Sequence, residues 1–178
     1  PRSTPLCSSA ASDVYKRQNE TLALRDGSAW VFERVQLDEL VKATADLYEP
    51  LADMKGVRLE VEVEPASVLG VRTLLQRALT NLVDNAVKFS PDGGVVTLRA
   101  RPIATGVEVS IADQGPGMDP ARALGAVEST ADEDLARNGV ESHGMGLPFV
   151  RAVVRRHGGI LTIDDADPGA IVTARFSR

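Results

Sequence analysis

Between Arg72 and Phe89 the sequence carries two stripes on one helix, and their relative placement constrains the rest of the chain. Leu75, Leu79, Leu82, Val83 and Ala86 recur at helical spacing and define a face that must be buried. At about 100° per residue, Asn81, Asn85 and Lys88 fall on a second, narrow stripe with Asp84 beside it. This polar stripe borders the apolar face instead of opposing it. A helix so built suits one wall of a cleft, although a polar flank that merely meets water is the plainer reading of the stripe taken alone. The helix is expected to stop before Pro91, because proline disfavours helical geometry in the residue ahead of it.

The segments around this helix supply the rest of a layered domain. Trp30–Val35 has strand composition. Leu37, Leu40, Val41, Thr44, Leu47, Tyr48 and Leu51 predict a helix that begins with Asp38 and Glu39 in its first turn and ends at Lys55-Gly56. Val57–Val63 alternates aliphatic residues with Arg58, Glu60 and Glu62, as a half-buried strand does. Asp92-Gly93-Gly94 makes a turn into strand Val95–Arg101, and Gly106 precedes strand Val107–Ala112. A third helix, Leu147–His157, turns Leu147, Val150, Val153 and Val154 inward and ends at Gly158-Gly159. Strands Ile160–Ile163 and Ile171–Phe176 follow. This order predicts an α+β fold, a two-layer sandwich in which helices cover one face of a mixed sheet.

Residues 113–146 are glycine-rich and poor in large apolar side chains, and they are too many for a simple connection. A long segment of this kind is expected to be a flexible lid. Residues 1–28 show little periodicity, and Ser8–Gln18 resembles translated sequencing-adaptor sequence. We therefore expect a non-native or disordered leader over 1–28 and the domain itself over 29–178.

Composition removes several classes of function. A net charge of −5 gives no general basis for nucleic-acid binding. One cysteine, Cys7, offers neither a disulfide framework nor a metal cluster, which fits a cytoplasmic setting. No apolar run approaches the roughly 18 residues of a membrane span, so direct membrane contact is not expected from this chain.

Three motifs carry chemistry. On the second helix, the carboxamide oxygens suit Mg²⁺, a hard cation that shares its coordination with substrate phosphates, and Lys88 adds a mobile positive charge for them. Asp113-Gln114-Gly115-Pro116-Gly117 follows a strand directly. Its glycines permit close ligand approach, and Asp113 could accept a hydrogen bond from an adenine amino group; an ordinary Asp/Gly/Pro turn is the alternative. Gly144-Met145-Gly146-Leu147 opens the third helix, where free backbone N–H groups and the positive dipole end suit phosphate, unless the glycines serve only as a hinge. Each motif is weak alone; the three in this order are strong.

NLVDNAVKFS (81–90), DQGPG (113–117) and HGMGLPFVRAVVRRHGG (143–159) resemble the N, G1 and G2 boxes of sensor histidine kinases. The resemblance spans about residues 31–178 and implies the Bergerat fold that gyrase and heat-shock chaperone ATPases share. It implies ATP and Mg²⁺ as cofactors, with Asn85 as metal ligand, Asn81 and Lys88 on the phosphates and in the catalytic role, and Asp113 on adenine. It also implies that Gly115, Gly117 and Met118 shape the base pocket and that Gly144, Gly146 and Leu147 adjoin the triphosphate. Asn81 stands where gyrase-like members carry a glutamate. A carboxamide cannot act as a general base, which favours phosphoryl transfer over ATP hydrolysis.

The partners so implied are a histidine-bearing dimerisation domain and the receiver domain of a response regulator. Two other readings are a non-catalytic nucleotide-sensing module and a serine kinase of the anti-sigma-factor type. The pattern departs from the family in two places. Leu124–Thr130 lacks the aromatic residues of the F box, with Val127 and Thr130 where phenylalanine is expected. Ala170 and Val172 replace a threonine and an aromatic residue near the last glycine, Gly169. Of the two histidines, His157 is expected to be structural and His143 an exposed lid residue.

Overall fold

The structure, a computed structural model, describes residues 31–119 and 146–177. Strand β1 (Glu33–Gln36) leads into helix α1 (Leu37–Lys55), followed by β2 (Arg58–Val63) and β3 (Ser67–Gly70). Helix α2 (Arg72–Phe89), β4 (Val95–Ile103) and β5 (Gly106–Ala112) come next. Helix α3 (Gly146–Arg156), β6 (Gly159–Asp165) and β7 (Ala170–Ser177) complete the order. The expected leader, together with Trp30, and residues 120–145 of the expected lid, with His143, Gly144 and the stretch Leu124–Thr130, lie outside the described residues.

Five strands form one mixed sheet in the order β2-β4-β5-β7-β6. Strand β2 runs parallel to β4, and the other neighbours are antiparallel. Alternate residues of the inner strands, among them Val96, Leu98, Val109, Ile111, Val172 and Ala174, are buried beneath the helices. Helix α2 lies between α1 and α3 and packs on both. The opposite face carries charge: Arg99 pairs with Glu62, and both Arg101 and Arg175 reach Glu108. A helix layer on one face of a mixed sheet is the expected sandwich, and it confirms the fold class.

Helix α1 begins as the sequence predicts, with Asp38 and Glu39 in its first turn, and ends on Gly56 at φ +71°. Its buried Thr44 donates its hydroxyl to the Leu40 carbonyl at 2.7 Å, so the polar residue in the apolar stripe is satisfied. The stripe is not covered along its whole length. Leu47 and Leu51 remain 63% and 47% exposed, while Ala45 and Ala52 are buried. On the helical wheel Leu47 lies about 20° from the fully buried Leu40, about two turns nearer the helix end, so this side of α1 loses its cover along the axis and not around it. Strand β2 is likewise less covered than its alternation suggests, because it forms an edge of the sheet, and Val61 is exposed. The first strand starts at Glu33 and pairs with β3 in a separate two-stranded sheet that the sequence did not reveal, with Val35 opposite Val68.

Helix α2 starts without an acidic first turn or a side-chain cap. Instead, His157 from the end of α3 accepts the N–H of the N-cap residue Val71 at 2.9 Å. His157 is buried, as a structural histidine is expected to be. Burial is the main force lowering its pKa; a bond to the Val153 carbonyl acts the other way, and the Arg156 charge lowers it further. The cation that a helix C-terminus can favour is therefore not the form held here.

Candidate functional site

A cleft of about 180 Å³ opens between α2, the loop after β5, the start of α3 and the start of β7. Leu82, Ala86, Ile111, Leu147 and Val172 give it apolar walls. Asn85, Phe89, Asp113, Gly117 and Met118 also line it. A small number of polar groups set in apolar walls is the usual composition of a small-molecule site.

Asp113 is placed by the sheet. It follows the last residue of β5, and its N–H donates to the Ala170 carbonyl at 3.0 Å, extending the β5–β7 pairing by one step. Its Oδ1 accepts from the N–H of Gly115 at 2.8 Å and from that of Ala170 at 3.4 Å. Among the described residues Oδ2 makes no hydrogen bond, which leaves one half-buried carboxylate oxygen as an acceptor for an incoming N–H. The turn around it tolerates little extra volume. A Cβ on Gly115 would lie 2.7 Å from the Phe89 carbonyl oxygen. Gly169 adopts φ +107°, and a Cβ there would lie 1.8 Å from the Asp113 carbonyl oxygen. Glycine is the one residue that fits this position.

Helix α2 supplies the opposite wall. Asn85 is half-buried and lines the cleft, and Asn81, also half-buried, lies one turn nearer the helix start. The start of α3 comes up to both: a Cβ on Gly146 would be 3.1 Å from Asn85 Nδ2 and 3.7 Å from Asn81 Cβ. The start of α3 thus adjoins the carboxamide wall, and the N-terminal end of a helix, with its positive dipole, suits a phosphate. Lys88 is exposed, with Nζ 5.7 Å from the centre of the Phe89 ring, so it lies at the rim and does not line the cleft.

Of the residues singled out in the sequence, Asn85, Asp113, Gly117, Met118 and Leu147 meet in the cleft. Gly115 packs behind it, Asn81 and Gly146 adjoin Asn85, and Gly144 lies outside the described residues. Sequence reasoning missed Phe89 as a lining residue; its one signal is an aromatic side chain at a helix end, left half exposed. Ala170 and Val172, noted as departures, are part of the wall.

The arrangement matches solved proteins of one class. The structure of a mycobacterial sensor histidine kinase, MprB, is 32% identical, covers 83% of this chain and 97% of its own, and superposes with a TM-score of 0.69. That of the histidine kinase ShkA in complex with AMPPNP is 25% identical, covers 93% of this chain and 36% of its own, and gives 0.72. The family of histidine kinase-, DNA gyrase B- and HSP90-like ATPases matches residues 70–178, and the chain belongs to it. Among curated relatives, the signal transduction histidine-protein kinase/phosphatase MprB of Mycolicibacterium vanbaalenii is 34% identical over 145 residues. That match takes in 81% of this chain but 29% of the relative's length.

Proposed function

We propose that the chain is the ATP-binding catalytic domain of a sensor histidine kinase, which binds Mg·ATP and passes the γ-phosphoryl group to a histidine on a separate dimerisation domain. The observation that carries this reading is the pairing of two recognition elements across one cleft. A carboxylate oxygen of Asp113 is open to a base amino group, and the Asn85 carboxamide meets the start of α3 where phosphates would lie. Family membership and the AMPPNP complex of a relative support nucleotide as the ligand.

The donor set fits a magnesium ion shared with its substrate. No group of three His, Cys, Asp or Glu side chains among the described residues could hold a metal alone. Asn85 provides a hard carboxamide oxygen, and phosphates and water would complete the shell. When bound, the ion would neutralise charge on the β- and γ-phosphates. Asn81 and Lys88 hold and orient the phosphates in this reading, with Lys88 reaching in from the rim. Gly146 and Leu147 present the start of α3 to the triphosphate, joined by Gly144. Gly115, Gly117 and Met118 keep the base pocket narrow and dry. Because the Asn81 carboxamide cannot accept a proton at neutral pH, it does not activate water, and the γ-phosphoryl group awaits a protein acceptor.

The test mixes the full chain, radiolabelled ATP and Mg²⁺ with the dimerisation domain of the parent protein. Label on that domain's histidine, lost in Asn81→Ala, is the expected result. Nucleotide binding without transfer would replace the kinase reading with a nucleotide-sensing module, and label on a serine would indicate the anti-sigma-factor type of kinase. After transfer, a response regulator would accept the phosphoryl group.

A further inference from the structure

The final turn of α2 is held from outside the helix. A helix leaves its last four carbonyl groups without partners of its own, and a cation is the charge favoured there. Lys55, the last residue of α1, sends its ammonium group across to the Val87 carbonyl at 2.7 Å and also to that of Lys88. The backbone around Lys55 is joined to the same region: the Gly93 N–H donates to the Gly56 carbonyl, and the Arg58 N–H to that of Gly94, both at 2.9 Å. One helical turn earlier, Asp84, the neighbour of Asn85, acts on the Tyr48 phenol of α1. Burial first, and then the Asp84 charge, push this phenol up to about 12.

What this turn carries gives the contact its consequence. The Phe89 side chain lines the cleft, and the Phe89 carbonyl is the atom against which Gly115 packs. Gly115 in turn donates its N–H to Asp113 Oδ1. A shift of the last turn of α2 would pass directly into the Asp113–Gly117 loop and move Lys88 at the rim. We infer that Lys55 is a positioning residue for the nucleotide cleft, fixing the last turn of α2 so that Phe89, Lys88 and the Asp113 loop keep their spacing. This inference rests on reading the cleft as the ATP site.

The experiment titrates the full chain with ATP and Mg²⁺ for the wild type, Lys55→Met and Lys55→Arg. Thermal unfolding of each variant is recorded beside the titration. Lys55→Met keeps an unbranched apolar stem but removes every donor, and ATP affinity should fall about fivefold to tenfold, as expected from losing a charge-assisted hydrogen bond. Lys55→Arg retains a charged donor and should restore affinity to within about twofold. Where phosphotransfer is followed, Lys55→Met should raise the KM for ATP and leave kcat nearly unchanged. If Lys55→Met binds ATP as the wild type does while its unfolding temperature drops, Lys55 is merely structural and the inference is overturned. A wild type that binds no nucleotide would overturn the ATP reading itself, and the inference with it. Should Lys55→Met fail to fold, Lys55→Gln, too short to span both carbonyls, is titrated under the same criteria.

Discussion

Replacing His157 by phenylalanine should remove one hydrogen-bond tie between two helices and, with it, one source of pH dependence. The ring's Nε2 accepts from the Val71 N–H at 2.9 Å, and Nδ1 lies 2.7 Å from the Val153 carbonyl oxygen. A carbonyl only accepts, so Nδ1 carries the proton and the native ring is neutral. Phenylalanine keeps a ring between Phe32 and Phe176, whose centroids lie 5.5 and 6.5 Å from that of His157. It leaves the buried Val71 N–H without an acceptor, at a cost of about 1–3 kcal/mol.

The sign of the pH effect follows from the lowered pKa of the folded state. Above about pH 6.5 the histidine is neutral both folded and unfolded, and its full contribution is present. Below that, the unfolded chain takes up a proton that the native ring resists. Stability then falls by at most about 1.4 kcal/mol per pH unit until the folded pKa is reached. The phenylalanine variant lacks this loss. Urea denaturation of both proteins at pH 7.5 and 5.5 should show the wild type's advantage at the higher pH and a narrower gap at the lower. His143 and the carboxylates are common to both proteins and cancel. A gap that widens on acidification, or a His157 titration at or above the ordinary imidazole value, would refute the neutral tie.

Two further substitutions separate the fold from the site. Gly169→Ala forces a Cβ to 1.8 Å from the Asp113 carbonyl oxygen at a φ that suits glycine; a loss of about 3 kcal/mol or more is expected by chemical denaturation, and nucleotide affinity should fall too. Glu108→Gln acts on the far face of the sheet. Its hydrogen bond to Arg175 is the main force holding the carboxyl below the usual range; burial opposes this, and Arg101 adds to the lowering. The stability it contributes is present above the ordinary glutamate pKa and is lost as pH falls through the lower folded value. Glu108→Gln should therefore cost about 1–2 kcal/mol at pH 7, less near pH 3, and leave ATP affinity unchanged in calorimetry.

The parts of this fold that were legible in the sequence depend on local periodicity. Helix α2 was readable because its apolar repeat runs unbroken to a stop ahead of Pro91, and its polar stripe shares the same wheel. Helix α1 was readable in extent, whereas Leu47 and Leu51 were misplaced because spacing alone does not show how far a sheet extends beneath a helix. Strand β3 is four residues long and finds its partner in β1, more than thirty positions earlier, so no local signal marks it. The bond of Ala170 to Asp113 crosses 57 positions, and the tie of His157 to Val71 crosses 86. Both depend on the sheet and helix layers coming together. For that reason Ala170 read as a missing threonine, when its backbone N–H and carbonyl are the parts that touch Asp113.

The central claim is that Asp113 and Asn85 bind the two ends of one nucleotide. Calorimetric titration of the full chain with ATP, with and without Mg²⁺, tests it most directly beside Asp113→Asn and Asn85→Ala. Asp113→Asn preserves an oxygen for the Gly115 N–H but can place an amide donor where the free carboxylate oxygen stood. It should raise the Kd for ATP at least tenfold above the wild-type value while the domain stays folded. Asn85→Ala should remove the gain in affinity that Mg²⁺ gives the wild type. A folded wild-type chain that takes up no ATP at millimolar concentration, or an Asp113→Asn variant that binds as tightly as the wild type, would contradict the assignment of the cleft.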